Sequence, residues 1–259
     1  MRKFLLLSAG MLVLSASLGH AQTGINLAWN NCITQSSAAE DKAYACDGTS
    51  NGTPFKIVFS FFAPVDLPQF VGIQATLDVQ TSEASLPDWW RLGVGECREG
   101  NIGFPASLSG VGTGTTGTCQ NPWSGGTTGG GMIWYSDGNG DTIVAGLGRA
   151  KLAFARTDER ALVVDQQYVG GVITLDSFND VDTENGVCTG CDLPACIVLQ
   201  QVELFQTAGA PNGDVHLITN AQYRKHITWQ GGAIGGEGCP FGSQQLSNQM
   251  WGSIRAIYR

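Results

Sequence analysis

Ile73-Gln74-Ala75-Thr76-Leu77-Asp78-Val79-Gln80 alternates apolar and polar side chains without a break. Successive side chains of a strand point to opposite faces, so this period of two predicts a half-buried β-strand. Phe55-Lys56-Ile57-Val58-Phe59-Ser60-Phe61 behaves alike, with Phe55, Ile57, Phe59 and Phe61 on one side. Working outward, similar short runs occupy 25–29, 132–135, 142–145, 150–155, 168–175, 195–205, 215–218 and 226–229. Turn-forming Gly, Asn and Pro separate them at 48–52, 64–68, 138–140, 170–171 and 210–213. With no amphipathic helix in the body and no repeat of fixed period, the expected class is all-β. It reads as a disulfide-stapled, jelly-roll-like β-sandwich with long Gly-rich loops.

The first 21 residues have the three parts of a secretory signal. Arg2 and Lys3 form the charged end, Phe4 to Leu18 the apolar run, and Gly19-His20-Ala21 a cleavage site. The apolar run is too short for a comfortable membrane span. Residues 22–240 are then expected to form the sandwich. A polar spacer and a short amphipathic tail follow at 241–259, where Trp251, Ile254, Ile257 and Tyr258 fall at helical spacing and the tail can dock on a partner. Hydrophobic residues make up 42% of the chain, enough to build a core, so a disordered chain is excluded. The formal charge is −8, and loss of Arg2 and Lys3 makes it more negative, which argues against a nucleic-acid partner. The expected location is secreted, cell-surface or periplasmic.

Eight cysteines, Cys32, Cys46, Cys97, Cys119, Cys188, Cys191, Cys196 and Cys239, follow the signal. An even count in an exported chain reads as four disulfides. Spacing suggests Cys32–Cys46 and Cys97–Cys119, since closing a loop of about 15 residues contributes ~3 kcal/mol. Cys188–Cys196 with Cys191–Cys239 would complete the set. The alternative for the last four is zinc, because Cys188-x-x-Cys191 is half of a common Cys₄ site. The segment 108–131 is rich in Gly and Thr around Cys119 and reads as a long surface loop. Its Gly112-x-Gly114-x-x-Gly117 neither follows a strand nor opens a helix, so it is compositional and no dinucleotide site.

Several blocks together resemble a group of exported bacterial all-β proteins. They are Ile25-Asn26-Leu27-Ala28-Trp29-Asn30-Asn31-Cys32, Leu86-Pro87-x-Trp89-Trp90, and Cys188-x-x-Cys191-x4-Cys196-Ile197-Val198-Leu199. Thr228-Trp229-Gln230-Gly231-Gly232 and the ending from Trp251-Gly252 to Tyr258-Arg259 belong with them. The resemblance implies export and a shared architecture. It implies no activity.

Chemistry-bearing residues are sparse. His216 and His226 both sit in strand-like runs, and there is no Gly-x-Ser-x-Gly elbow and no Ser-x-x-Lys pair. Paired carboxylates for glycoside hydrolysis would come from Glu83, Asp88, Glu96 or Glu203. Calcium is the one cofactor suggested: Asp137-x-Asn139-x-Asp141 repeats the first half of an oxygen-rich loop. The second half fails, with Thr142 at position six and Gly148 at position twelve, and a hairpin tip explains the same residues. Asp176, Asn179, Asp180, Asp182 and Glu184 form a second crowded acidic stretch. Trp89, Trp90 and Trp123 are the candidate ligand contacts, since sugar rings stack on exposed aromatics. In a strand, Trp89 and Trp90 would face opposite ways, leaving one available. The expected function is an exported, non-catalytic β-sandwich protein with a surface, matrix or adhesion role. The alternative is carbohydrate recognition, as a binding module or glycoside hydrolase, with a polysaccharide or cell-surface component as partner.

Overall fold

The computed structural model describes residues 23–47, 54–105, 108, 111, 119–137, 146–177 and 187–233, with the backbone of 234 and 238–239. In chain order the strands are β1 (Gly24–Trp29), β2 (Asp41–Lys42), β3 (Phe55–Phe62), β4 (Leu67–Thr81), β5 (Ile102–Gly103), β6 (Thr128–Ser136) and β7 (Leu147–Leu162). There follow β8 (Gln167–Leu175), β9 (Ala195–Gln206), β10 (Val215–Ile218), β11 (His226–Trp229), β12 (Ala233–Ile234) and β13 (Gly238–Cys239). One short 3-10 helix, Asp88–Trp90, interrupts them. The fold is all-β.

A smaller sheet has the order β1-β3-β8-β5. A larger one runs β2-β11-β9-β4-β7-β6, with β10 beside the far half of β9. Neighbours are antiparallel except β2–β11 and the β12–β13 pair. The inner faces pack into one core. Ile25, Leu27, Phe59, Phe61 and Ile173 from the smaller sheet meet Ile73, Leu77, Leu152, Phe154 and Leu204 from the larger. Each such side chain contributes roughly 1.5–3 kcal/mol on burial. The alternation seen in the sequence at 55–61 and 73–80 is what supplies these two faces.

The strand at 73–80 is more deeply placed than a half-buried pattern predicts. It sits between β9 and β7, and Thr76, Asp78 and Gln80 on its polar side are buried too. Asp78 is held by Arg149 on β7, Oδ1 to Nε at 2.6 Å and Oδ2 to Nη2 at 2.7 Å. Likewise β7 runs on through Arg156-Thr157-Asp158-Glu159-Arg160, where no apolar alternation announces a strand.

The disulfides differ from the neighbour pairing expected from spacing. They join Cys32 to Cys119, Cys46 to Cys191 and Cys97 to Cys188, at sequence separations of 87, 145 and 91. Cys196 is disulfide-bonded as well. Cys32–Cys46, Cys97–Cys119, Cys188–Cys196 and Cys191–Cys239 are therefore corrected, and thiolates for zinc are not left at Cys188, Cys191 and Cys196. The reason is topological. Cys32 leaves β1 toward the outer side of the smaller sheet, where it packs with Cys119, Val58, Val111, Val169 and Val172. Cys46 follows β2 at the edge of the other sheet. The Gly-rich segment is thus pinned by Cys119. Residues 1–21, read from sequence as a signal, the run 142–145 and the tail 241–259 lie outside the described residues.

Tyr168 gives the fold a specific pH dependence. Its ring stacks on Phe61 at 5.8 Å, and its hydroxyl oxygen accepts the Val163 N–H at 2.8 Å. Burial raises its pKa above the ordinary 10.0; the Val163 amide and Arg160 oppose this, and Asp66 adds to it. Above pH 10.0 the unfolded chain loses this proton while the folded chain keeps it, so stability falls as pH rises through the folded value. Tyr168→Phe is expected to flatten this fall above pH 10.0, read from urea midpoints against the parent, at a pH-independent cost of ~1 kcal/mol. An unchanged slope would sink the assignment.

Candidate functional site

The tryptophans proposed from sequence as ligand contacts are core residues. Trp89, Trp90 and Trp123 are 0%, 1% and 4% exposed. Trp89 and Trp90 lie in the 3-10 turn and not in a strand, so neighbouring side chains need not diverge to opposite faces, and both enter one end of the sandwich. There Trp89 stacks on Trp229 at 5.9 Å and Trp90 meets the same ring edge-on at 5.7 Å. Trp29, Tyr44 and Phe55 complete the cluster. The fully buried Arg98 lies 3.3 Å over the Trp89 ring and donates to the Trp89 carbonyl at 3.0 Å. Trp123 packs edge-on to Phe154 at 4.7 Å, and its indole N–H reaches the carbonyls of Val169 and Gly170, each at 3.2 Å. None of the three offers a face to a ligand.

Asp137, the first residue of the calcium pattern, is committed to the protein. Its Oδ1 accepts the N–H groups of Leu86 at 2.7 Å and Gly146 at 2.9 Å, and its Oδ2 accepts from Arg91 Nη2 at 2.5 Å. It closes the base of the β6–β7 hairpin. Asn139 and Asp141 lie outside the described residues, as do Asn179, Asp180, Asp182 and Glu184. Among the described residues no three His, Cys, Asp or Glu side chains gather to hold a metal.

The candidate acids and bases are dispersed in the same way. Glu96 Oε2 accepts from Gly93 N–H at 2.6 Å and from Ser136 Oγ at 2.8 Å. Asp88 pairs with Arg91 at 3.5 Å. Glu83 lies in the exposed turn after β4. His226 contacts Glu40 at 3.2 Å, and His216 the Gly213 carbonyl at 3.2 Å. Glu203 stands on the outer side of β9, opposite Gln74 and Leu217.

That outer side of the larger sheet carries the feature the sequence did not announce. Across five adjacent strands the register aligns Val215, Phe205, Gly72, Ala155 and Gly129. The next outward row is Leu217, Glu203, Gln74, Ala153 and Gly131. Three strands in succession thus present glycine or alanine in the first row, and the missing side chains leave a trough of about 980 Å³. Gly130 is required beneath it, because a Cβ there would land on the Phe154 ring. At one end stand Phe205 and Val215, the latter 43% exposed; Gln74, Thr128 and Thr157 add polar groups. The trough crosses the strands, so it is roughly 19 Å long at ~4.8 Å per strand spacing. The signal that would have found it is the outward set of an alternating strand: in Ala150–Ala155 the side chains off the core face include Ala153 and Ala155.

Fold and site together define a class, a disulfide-stapled all-β sandwich with an open trough across its larger sheet. No protein-family model, curated protein or solved structure matches the chain. No helix among the described residues is long and apolar enough to cross a membrane. The disulfides fit an oxidising, extracytoplasmic compartment.

Proposed function

We propose that the chain is exported by cleavage after residue 21 and acts by contact and not by catalysis, in a surface, matrix or adhesion role. The observation that supports this is the trough. It is a preformed concave surface floored by glycine and alanine, with an aromatic at one end and amide and hydroxyl groups beside it. Such a surface suits an extended polymer lying across the strands.

Its length and chemistry favour carbohydrate recognition as the second reading. Phe205 supplies a ring for an apolar sugar face, and Gln74, Thr128 and Thr157 supply partners for hydroxyls. The residues carrying this reading are those of the trough, in place of Trp89, Trp90 and Trp123.

The test is retention of the oxidised protein, residues 22–259, on a panel of insoluble polysaccharides and fibrous matrix proteins. Ala155→Trp fills the floor from its exposed side and leaves the core untouched. Retention is expected on a polymer of one class, with affinity reduced about tenfold or more by Ala155→Trp at unchanged melting temperature. Retention on a polysaccharide selects the second reading. Retention that Ala155→Trp does not weaken places the contact elsewhere, and no retention on any polymer removes the trough as a polymer site.

A further inference from the structure

The larger sheet ends at β6, and among the described residues no backbone group pairs with the free edge of this strand. Its sequence is Thr128-Gly129-Gly130-Gly131-Met132-Ile133-Trp134-Tyr135-Ser136. Natural edge strands are protected by charge, proline, a bulge or shortness. This one has nine residues, no charge, no proline and an unbroken register with β7. Gly129, Gly130 and Gly131 are exposed, and Ile133 is 52% exposed.

The order of residues along β6 names the partner. One half is glycine and the other half is bulky. When β6 pairs antiparallel with itself about Met132, Gly129 falls opposite Tyr135, Gly130 opposite Trp134 and Gly131 opposite Ile133. Thr128 falls opposite Ser136. Opposed residues of an antiparallel pair share a face, so Gly129 and Gly131, where a Cβ would meet nothing within 4 Å, receive Tyr135 and Ile133 on the outer side, and the twofold repeats the fit at the other end. Aromatic side chains across from edge glycines are a known way of fixing strand register. An unrelated peptide would lack this self-complementarity.

We propose that a second copy of this chain pairs through β6, antiparallel and centred on Met132, joining the two larger sheets into one. The pairing also completes the trough. Its first row ends at Gly129, beyond which the partner's Tyr135 would stand, and its second row ends at Gly131, beyond which the partner's Ile133 would stand. The open end thereby gains a wall matching the one that Phe205 and Val215 make at the other. This inference is independent of what occupies the trough, because its readout is mass and not ligand.

Sedimentation of the oxidised protein, residues 22–259, is expected to give a dimer, with the amides of β6 protected from hydrogen exchange in a concentration-dependent way. A Cβ at Gly131 meets nothing within 4 Å, so Gly131→Lys with Ile133→Lys keeps the fold while placing lysines opposite each other in both halves of the interface. That variant is expected to weaken the dimer at least about tenfold with unchanged circular dichroism. Val163→Lys, at a site 56% exposed in the turn after β7, should leave the mass at that of the dimer. A monomer at every concentration from about 1 µM to about 1 mM overturns the proposal. So does a dimer that survives the two lysines, or an open-ended assembly.

Discussion

Asp78→Ala is expected to cost about 3–5 kcal/mol and to lower the melting temperature by roughly 10 °C. The carboxylate is fully buried and meets Arg149 through both oxygens, at 2.6 and 2.7 Å. Gln200 Nε2 donates to the same Oδ2 at 2.9 Å. Removing the acid leaves the Arg149 guanidinium, whose side chain is 3% exposed, in a site that water does not reach. Loss of both carboxylate hydrogen bonds from a buried guanidinium sets the size of the effect, not the net value of the ion pair. Asp78→Leu combined with Arg149→Met removes both charges and should recover most of the loss. Urea titration of the two singles and the double decides it. A single-variant cost below ~1 kcal/mol would mean that the pair is hydrated.

That ion pair also marks how far the sequence could be read. Alternation placed β3, β8 and β9 almost to the residue, because each has a core face whose spacing follows from strand geometry, but it found only 73–80 of β4 and missed its start from Leu67. It did not show that the opposite side of β4 is covered. Period two separates two faces and says nothing of what packs on the second. Arg156 to Arg160 of β7 were missed for the converse reason: their backbone is fixed by pairing, Arg160 lying opposite Phe70, and not by an apolar pattern.

The candidate site was less legible. Aromatic content drew attention to Trp89, Trp90 and Trp123, yet large rings contribute most when buried, and here they close one end of the core and part of its side. The trough consists of what is missing from the side chains at Gly72, Ala153, Ala155, Gly129 and Gly131. Small residues carry no signal until the register sets them side by side across strands that are far apart in the chain.

Removing the Cys46–Cys191 bridge, as Cys46→Ala with Cys191→Ala, is expected to cost about 5 kcal/mol, more than removing Cys32–Cys119 or Cys97–Cys188. In the chain-entropy model the gain grows with the logarithm of the closed loop, and this loop spans a separation of 145 against 87 for Cys32–Cys119 and 91 for Cys97–Cys188. The neighbour pairing suggested by spacing would have given only ~3 kcal/mol per bridge. The native-state contacts add to the effect. Cys191 supplies the carbonyl that Trp229 Nε1 donates to at 2.6 Å, and Gln230 Nε2 bonds the Tyr44 carbonyl at 2.6 Å, so the bridge ties β2 to the aromatic cluster. Proteolysis without reduction should yield one peptide pair containing Cys46 and Cys191, and a Cys32–Cys46 pair would refute this topology. The cluster packs against Ala195 and Thr81 at one end of β9 and β4, while the trough crosses Gly72 and Phe205 at the other. Loss of the bridge should therefore lower the denaturation midpoint and leave the affinity of the folded fraction for a trough ligand unchanged. Stability and binding separate because they are built at opposite ends of the same two strands.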